Sequence, residues 1–377
     1  MTADDIRRVA VVGAGVMGQG IAQVVASAGM DTRLFDASGA ALESGVQSIL
    51  GNVAKQERKG RISAEAALRV RRDLLSPCPN LREAVEGADL IIEAVPESRE
   101  IKESLFEQLR GALENERVVV ASNTSTFSIT RLGRFSGRPG QFVGLHFFNP
   151  PPLMNLVEVI PGDKTTKETT GLALAFARKL KKTAILVRRD TPGFIVNRIN
   201  AASFALFQNL AERGGLHPVT LDSAMRRHGW PMGPFELMDY IGLDVMVGMG
   251  DCFARALHMD YAPPVHLRDM VGRGMLGKKA GKGYHDWTQG RPEMEAGGGR
   301  SEKFDPLSAI LVQFNEAVRL TQAGVCSEEE ADLAMRLGNG LSEGPIETCR
   351  VVSDRDRHNR LNELAGQLEM EIFRPAD

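Results

Sequence analysis

The chain has 377 residues, with 46 Lys and Arg against 48 Asp and Glu, so its formal net charge is -2. Hydrophobic residues make up 43% and charged residues 25%, a mixture that excludes wholesale disorder and, at this length, predicts two domains with a smaller appendage. The balanced charge argues against nucleic acid or an anionic membrane as a partner. No apolar run approaches the roughly 18–20 residues of a membrane span, and the acidic N-terminus leads straight into a strand without a secretory signal.

Four cysteines are scattered along the chain without CxxC spacing or a dense framework. This usage is typical of reduced thiols in a cytoplasmic protein, and more often of small core residues than of ligands. We therefore expect a cytoplasmic location and no metal site. The cysteines are Cys78, Cys252, Cys326 and Cys349.

The first half of the chain alternates short β-branched runs with helical stretches, a pattern that is typical of a parallel sheet with helices on its faces. It predicts an α/β fold with a Rossmann-type doubly wound sheet over residues 1–188. Between Ser38 and Asp73, two charged helical stretches occur where a crossover needs only one helix, and a surface helical hairpin and a ligand-gripping arm are both open. The predicted strands are Val9–Val12, Asp31–Phe35, Leu90–Ala94, Val118–Ser122, Phe142–Leu145, Asn155–Ile160 and Ala184–Val187.

The pattern becomes helical after Arg189. Thr191-Pro192 combines a capping hydroxyl with Pro at a first helical position, which predicts that a helix starts there. No convincing strand follows, so we predict an all-helical domain over residues 189–288. A Gly-rich stretch at 288–304 predicts a flexible linker, and leucines at helical spacing predict a final docking helix over 356–373.

The region beyond the linker repeats part of the helical domain. Residues 210–236 and 320–347 each contain a Gly eight positions before an Asp (Asp222 or Asp332), followed by the pattern Gly-Pro-x-Glu. Segments built on one plan pack similarly, so we interpret 305–377 as a truncated, partial C-terminal repeat. Chance similarity between two amphipathic helix pairs is the alternative.

A glycine-rich turn follows the first apolar strand. Gly13 permits a tight turn, Gly15 lets the backbone approach a pyrophosphate, and Gly18 lets the helix pack closely on the strand. The following helix would point its first amide groups, those of Val16 and Met17, at the phosphates. GxGxxG alone is weak evidence, but this one lies in a strand–turn–helix unit and therefore predicts a dinucleotide site.

Asp36 ends the second predicted strand, 18 residues after Gly18. A carboxylate there accepts hydrogen bonds from the adenosine ribose hydroxyls and repels a 2′-phosphate, so the predicted cofactor is NAD and not NADP. The alternative is an ordinary solvated acid at a strand end.

His146 ends an apolar strand and enters a Pro-rich turn, and Glu158 lies within the next strand among Leu, Val and Ile. An ionised carboxylate in such surroundings is costly unless it is paired. The strand–turn–strand arrangement makes His146 its candidate partner, and a carboxylate on one imidazole nitrogen leaves the other free to take a proton. The pair therefore suggests alcohol oxidation beside a nicotinamide; the alternative is a satisfied core histidine with a solvent-facing glutamate.

Two further polar features agree with this interpretation. Ser122–Thr126 (SNTST) follows a predicted strand at the carboxyl end, where doubly wound sheets bind ligands, although a helix cap or turn explains it equally well. Asn197 lies one turn into the helix predicted from Pro192, where surface Asn is the plainer explanation.

These motifs together resemble the L-3-hydroxyacyl-CoA dehydrogenase family, including its short-chain 3-hydroxybutyryl-CoA members, over residues 6–288. HFFNP with the downstream VEV, together with DTPGFIVNR, is the most specific part. The matching segments are VVGAGVMGQGIAQ at 11–23, IIEAVPES at 91–98, SNTST at 122–126, GLHFFNPPPLMNLVEV at 144–159, DTPGFIVNR at 190–198, PMGPFELMDYIGLD at 231–244 and GKKAGKGYHDW at 277–287.

The resemblance implies an NAD-binding domain followed by a helical domain, with an acyl-CoA held between them. By position, His146 looks like the catalytic base and Glu158 its orienting partner. Ser125 would hydrogen-bond the 3-oxygen of the substrate, and Asn197 would act from the helical domain.

The resemblance also implies ligand contacts outside this group. Glu97 and Lys102 match cofactor contacts, and Lys55 or Lys59 matches a contact to CoA phosphate. One departure is Asn155, where the family commonly has Lys before LVEV, and it could alter acyl or CoA preference.

The partial repeat is similar to the second helical copy in larger family members. It lacks an equivalent of DTPGFIVNR, so we expect it to be non-catalytic and to pack where a partner domain or subunit would. Single-repeat relatives form homodimers through the helical domain, and a homodimer is the expectation here, although the repeat could instead cover that surface within one chain.

The sequence thus predicts reversible, NAD-dependent oxidation of an L-3-hydroxyacyl-CoA to the 3-oxoacyl-CoA, as in fatty acid β-oxidation. One alternative is a dehydrogenase of a free hydroxy acid, of the gulonate or carnitine type, which departs from HFFNP at the turn. The other is a non-catalytic NAD-binding protein that has kept the fold.

Overall fold

The structure is a computed structural model that describes residues 2–113, 117–292 and 304–376. The chain divides into two compact units, Met1–Phe194 and Ile195–Asp377. Most of the linker predicted at 288–304 lies outside the described residues. Within the residues that are described, no helix combines the length and the apolar character needed to cross a membrane.

The first unit is built on one sheet that contains eight strands in the part of the chain described. Their order is β3-β2-β1-β4-β5-β6-β7-β8, and neighbours are parallel except for β6 and β7. This confirms the predicted Rossmann-type doubly wound sheet, because seven of these strands fall on the seven runs that the sequence marked. The strands are β1 (Arg8–Val12), β2 (Asp31–Phe35), β3 (Leu75–Pro77), β4 (Leu90–Glu93), β5 (Val119–Ser122), β6 (Phe142–Phe147), β7 (Leu156–Pro161) and β8 (Thr183–Leu186).

Strand β3 was absent from the predicted set. It has three residues and ends in Pro, so it carries neither a β-branched run nor an alternating pattern. It lies at the sheet edge, where its backbone pairs with β2 (Thr32 opposite Leu75) and a missing amide donor is tolerated. Tertiary pairing, not local preference, makes this segment a strand.

Helices flank the sheet, and α2 and α3 occupy the region where two helical stretches were predicted. Leu42, Ile49 and Val53 of α2 are buried in the core of this unit, so one face of the long helix packs against α1 and the edge strand β3. The helices of the first unit are α1 (Val16–Ser27), α2 (Gly39–Arg58), α3 (Ala64–Arg69), α4 (Leu81–Val85), α5 (Arg99–Ala112), α6 (Ile129–Phe135) and α7 (Lys167–Lys179).

The second unit is helical, which confirms the fold class. Its core gathers Phe, Met and Leu side chains from the helices before and after residues 293–303. The helices are α8 (Val196–Glu212), α9 (Pro218–Arg227), α10 (Pro234–Ile241), α11 (Leu243–Ala256), α12 (Val265–Gly272), α13 (Leu307–Gln322), α14 (Glu328–Asn339), α15 (Pro345–Cys349) and α16 (Asp354–Leu368).

The predicted start of the first of these helices at Thr191-Pro192 is wrong. Gly193 and Phe194 have φ of 76° and 55°, which a right-handed helix does not allow, so Pro192 lies in a turn and α8 begins at Val196. Asn197 is therefore the second residue of the helix and not a residue one turn inside it.

The two similar segments of the helical unit share one local structure. Asp222 of α9 accepts hydrogen bonds from the backbone amides of Phe235 (2.8 Å) and Glu236 (3.2 Å) at the start of α10. Asp332 of α14 does the same for the amides of Ile346 (2.8 Å) and Glu347 (2.9 Å) at the start of α15. The same carboxylate therefore caps the same helix in both segments, which supports their interpretation as a duplication.

Candidate active site

His146 and Glu158 form a buried pair on neighbouring strands. The antiparallel register of β6 and β7 places the two residues directly opposite each other. Nδ1 of His146 lies 2.6 Å from Oε2 of Glu158, and the two residues are 4% and 0% exposed. The hairpin thus gives the buried glutamate a hydrogen-bonding partner. It leaves Nε2 of the imidazole without a bond to Glu158.

The second nitrogen of the imidazole, Nε2, lies near a hydroxyl group, and two aromatic rings pack against the imidazole ring. Oγ of Ser125 lies 3.3 Å from Nε2 of His146. The rings of Phe148 and Phe194 have their centroids 4.6 Å and 5.5 Å from the imidazole centroid. With Nδ1 bonded to the carboxylate, the Nε2 lone pair is the position at which a substrate hydroxyl beside Ser125 would lose its proton.

Glu97 holds the loop that carries Ser125. Its Oε1 accepts hydrogen bonds from the backbone amides of Ser125 (3.0 Å) and Thr126 (3.1 Å), and from the hydroxyls of Thr124 (2.5 Å) and Thr126 (2.8 Å). Burial works against ionisation of this carboxyl, but the charge of Lys102 and the hydroxyl donors outweigh it, so the pKa of Glu97 lies below its usual value. An ionised Glu97 therefore organises the loop after β5.

Lys102 is buried between two glutamates. Its Nζ lies 2.6 Å from Oε1 of Glu93 and 3.1 Å from Oε2 of Glu97, and the side chain is 1% exposed. Burial opposes its charge, but the two carboxylates outweigh that effect and raise the pKa of the Lys102 ammonium. The same Glu93 accepts a hydrogen bond from the hydroxyl of Ser122 (2.5 Å), so this buried network reaches both ends of the Ser125 loop.

The sequence analysis gave no role to Glu93 or Lys182 and named Ser122 and Asn123 only as part of the SNTST segment. Glu93 and Ser122 belong to the network, Oδ1 of Asn123 accepts from the amide of Phe147 (2.8 Å), and Nζ of Lys182 donates to the carbonyl oxygens of Pro151 and Met154 (2.7 and 2.8 Å). A polar residue at the end of each of two adjacent parallel strands, β4 and β5, was an available signal for Glu93 and Ser122. Lys182 gave no local signal, because its partners lie about 30 residues away in the chain.

The glycine-rich turn is tightly packed at two of its glycines and open at the third. A Cβ on Gly18 would lie 1.7 Å from the carbonyl oxygen of Gly13, and a Cβ on Gly13 would lie 2.5 Å from that of Ala94, so both are obligatory for close packing. Gly15 has open space at its Cβ position, and Val16 beside it is 68% exposed. The exposed start of α1 therefore leaves room for phosphates at its amide groups.

Asp36 is tied to the same turn. Its Oδ2 accepts from the amide of Ala14 (2.8 Å) and its Oδ1 from the amide of Ser38 (2.8 Å), so the carboxylate is fixed at the end of β2 beside the glycines. Each oxygen retains acceptor capacity for a ribose hydroxyl. Gly15 and Val16 are exposed and Met17 is half-buried beside this carboxylate, whereas Gly13 and Gly18 are buried beneath them. The groups present fit NAD, because the exposed start of α1 offers amides for the phosphates and Asp36 offers acceptors for the ribose.

The remaining predicted site residues are on other elements than the His146 cluster. Lys55 and Lys59 are exposed at the end of α2, and within the described part of the chain no hydrogen bond or ion pair joins them to it. Asn197 belongs to the helical unit, half-buried in the first turn of α8. Over residues 2–113, 117–292 and 304–376, no cluster of three or more His, Cys, Asp or Glu side chains is arranged to hold a metal ion.

Comparison with known proteins identifies two domains of one family. Residues 8–191 match the model of the 3-hydroxyacyl-CoA dehydrogenase NAD-binding domain, and residues 193–287 match that of the 3-hydroxyacyl-CoA dehydrogenase C-terminal domain. The segment after residue 287 matches neither model.

Individual relatives cover different lengths of the chain. It is 38% identical over 294 residues to the 3-hydroxybutyryl-CoA dehydrogenase of Bradyrhizobium diazoefficiens, which covers 76% of this chain and 97% of that protein. It is 34% identical over 385 residues to the fatty acid oxidation complex subunit alpha of a Psychrobacter species, which covers 95% of this chain and 52% of that subunit. The crystal structure of 3-hydroxybutyryl-CoA dehydrogenase from Escherichia coli K12 superposes with a TM-score of 0.88 at 28% identity, over 99% of this chain and 97% of the other. The chain therefore belongs to the 3-hydroxyacyl-CoA dehydrogenase family, with that family's NAD-binding domain followed by its helical C-terminal domain.

Proposed function

We propose that this protein catalyses the reversible, NAD-dependent oxidation of an L-3-hydroxyacyl-CoA to the 3-oxoacyl-CoA. The observation that carries the proposal is the buried His146–Glu158 pair, whose second imidazole nitrogen faces Ser125 within an NAD-binding domain. Family membership and the names of the relatives support the substrate class.

Two groups of residues have separate roles: one takes the hydroxyl proton and the other holds the substrate oxygen. Nδ1 of His146 donates to Glu158, so Nε2 has the lone pair that takes the hydroxyl proton, and the carboxylate stabilises the imidazolium that forms. Ser125 holds the substrate oxygen next to Nε2. NAD, when bound, accepts the hydride that leaves carbon 3 of the substrate. Asn197 completes the proposed set of oxygen contacts from the helical unit.

Cofactor contacts are proposed at the carboxyl ends of β1, β2 and β4. The amides of Val16 and Met17 would meet the pyrophosphate, and Asp36 would accept from the adenosine ribose hydroxyls. Glu97 and Lys102 would act near the nicotinamide. The low exposure of Lys102 supports an indirect part for it, in which its charge fixes Glu97.

A spectrophotometric assay tests the reaction and its substrate class. The purified chain is mixed with NAD and 3-hydroxybutyryl-CoA or free 3-hydroxybutyrate, and NADH is followed by its absorbance. We expect turnover of the CoA thioester and little of the free acid. His146→Gln should abolish turnover and leave NAD affinity nearly unchanged. Turnover of the free acid alone would favour a hydroxy-acid dehydrogenase, and no NADH with any acyl-CoA would favour a non-catalytic NAD-binding protein.

The remaining expectations are part of the same proposal. Lys55 and Lys59, four residues apart and exposed, are proposed to contact CoA phosphate. A cytoplasmic location is proposed from the composition and scattered cysteines.

A homodimer is proposed through the helical unit, where Met259 and Val265 are each 69% exposed. A sedimentation experiment that gives the monomer mass of 41.0 kDa would contradict the homodimer.

The domain limits proposed from the sequence, 1–188, 189–288 and 305–377, separate the partial repeat from the helical domain. Limited proteolysis tests them. Cleavage within 289–304 that releases a folded C-terminal fragment would support a separate third domain, whereas fragments that stay associated would favour one helical unit.

A further inference from the structure

The first two turns of α8 make buried polar contacts with residues 304–376, which lie outside both family models. These turns carry Asn197, the one proposed catalytic residue of the helical unit. The contacts are clustered: they involve Arg198, Asn200 and Ser203, all within six residues of Asn197.

Glu316 of α13 is the centre of the first group of contacts. Its carboxylate is 1% exposed and forms an ion pair with Nε of Arg198, the residue that follows Asn197. It also pairs with Arg319 (3.1 Å) and accepts a hydrogen bond from the hydroxyl of Tyr261 (3.2 Å). A buried carboxylate with three donors is held in one place, so it fixes the guanidinium of Arg198 as well.

Two amide side chains form the second group. Nδ2 of Asn200 donates to Oδ1 of Asn339 (3.0 Å), and Nδ2 of Asn339 donates back to Oδ1 of Asn200 (2.9 Å). Gln313, which is 2% exposed, donates to the hydroxyl of Ser203 (3.1 Å) and lies 3.4 Å from Oδ1 of Asn200. The reciprocal amide pair closes only at one axial position of α8 relative to α14.

These contacts are not a common property of the repeated structure. Counted from the equivalent Gly214 and Gly324, Leu206 occupies in α8 the position that Glu316 occupies in α13. By the same count, Leu307 occupies the position of Asn197 in the second copy. The second copy thus has the buried carboxylate and lacks the candidate catalytic amide, so the two copies have complementary parts.

Apolar packing alone specifies the rotation and axial position of α8 against α13 less strictly than buried polar pairs do. Buried polar pairs select one position, because any other leaves a charge or amide unsatisfied. Catalytic groups need positions accurate to about 0.5 Å. We propose that the C-terminal half-repeat is a positioning element for the reaction, in which Glu316 and Asn339 hold the first turns of α8 so that Asn197 meets the substrate oxygen. This inference rests on the proposed function of Asn197.

The test compares two ends of one helix. Glu316→Gln and Asn339→Ala weaken the contacts at the start of α8. Arg213→Met is the matched control, because Arg213 follows the other end of α8 and ties it to the carbonyl oxygen of Leu368 (2.6 Å) in the same C-terminal segment. Hydrogen exchange of the full-length chain reports on residues 196–203 without substrate. We expect faster exchange there in the first two variants and unchanged exchange there in the control.

Kinetic measurements then show whether the fixed position of residues 196–203 affects the reaction. We expect kcat with 3-hydroxybutyryl-CoA to fall about 10-fold to 100-fold in Glu316→Gln, with a smaller fall in Asn339→Ala, because a displacement near 1 Å costs up to about 100-fold. NAD affinity should stay unchanged, and Arg213→Met should keep the parent kcat. In an Asn197→Ala background, Glu316→Gln should cause no further loss, whereas a general loss of folded protein would lower kcat equally in both backgrounds.

Each result has a defined meaning. Unchanged exchange at 196–203, an unchanged kcat in both variants, or equal losses in the two backgrounds would overturn the positioning role. If Glu316→Gln does not fold, the half-exposed Asn339→Ala alone decides by the same measurements. If the variants show the expected exchange but the parent has no activity toward any acyl-CoA, the proposed function is refuted, and so is the role of the half-repeat in catalysis. The conclusion that Glu316 and Asn339 fix the first turns of α8 would remain.

Discussion

Replacing Glu158 by Gln tests the electrostatic part of the His146 site. The change removes one negative charge and keeps a side-chain oxygen that can accept from Nδ1 of His146, 2.6 Å away. The imidazole would therefore remain oriented. What is lost is the stabilisation of the positive charge that forms on the ring when Nε2 takes the hydroxyl proton.

The structure sets the size of this loss. His146 is 4% and Glu158 0% exposed, so solvent screens their interaction little. Two unit charges about 4 Å apart interact by about 4 kcal/mol at an effective dielectric constant near 20. Because each 1.4 kcal/mol corresponds to about a factor of ten in rate, full loss of this interaction lowers the rate about 1000-fold. The charge on the ring is incomplete in the transition state, so we expect a fall of about 100-fold to 1000-fold in the rate of NADH formation.

The assay should isolate the chemical step, because product release limits kcat in many enzymes. Single-turnover formation of NADH is followed with enzyme in excess over 3-hydroxybutyryl-CoA, and NAD affinity is measured separately by fluorescence. His146→Gln gives the rate without the base. A Glu158→Gln rate within about 5-fold of the parent, equivalent to about 1 kcal/mol, would show that the carboxylate charge does not assist the proton transfer.

Three further predictions concern the cofactor loop, the glycine turn and the helical unit. Glu97→Gln weakens the hydrogen bonds that hold the loop at 122–126 and should lower kcat about 10-fold or more, read as NADH formation at saturating NAD. Gly18→Ala places a methyl group 1.7 Å from a backbone carbonyl oxygen, so calorimetry should show NAD affinity lost or strongly reduced. Burial opposes the charge on His285, but the hydrogen bond to Asp222 (2.6 Å) outweighs the effect of burial and raises the pKa of His285. Its contribution to stability is therefore complete below about pH 6.5 and lost as pH rises through the raised pKa. The difference between thermal melts of the parent and His285→Gln should narrow as the pH rises, and a constant difference would contradict this.

Some site residues were predictable because their signals are local. The glycine turn and Asp36 are predicted from spacing in one strand–turn–helix unit, and in the structure the amide of Ala14 in the turn donates a hydrogen bond to Asp36. The His146–Glu158 pair was predictable because a hairpin brings residues twelve positions apart into register, and a carboxylate among apolar strand residues demands a partner. In each case the residues that carry the site lie within one supersecondary element.

Other features had no local signal. The edge strand β3 exists because β2 offers it a backbone to pair with, and its own residues do not favour a strand. The start of α8 was misplaced because Thr191-Pro192 has good capping chemistry, whereas two positive φ angles at Gly193 and Phe194 delay the helix. The burial of Lys102 between Glu93 and Glu97 likewise depends on how α5 packs over the sheet.

The amino-acid sequence by itself determined the fold class, the dinucleotide turn and the identity of the histidine and its acid, since each follows from periodicity, glycine geometry or desolvation over short stretches of chain. Only the tertiary structure decided what the C-terminal half-repeat touches. Arg198 and Glu316 are 118 residues apart, and Asn200 and Asn339 are 139 apart. No pattern within one segment specifies which distant carboxylate or amide will satisfy a buried polar group, because that choice is made by the packing of helices around a shared core.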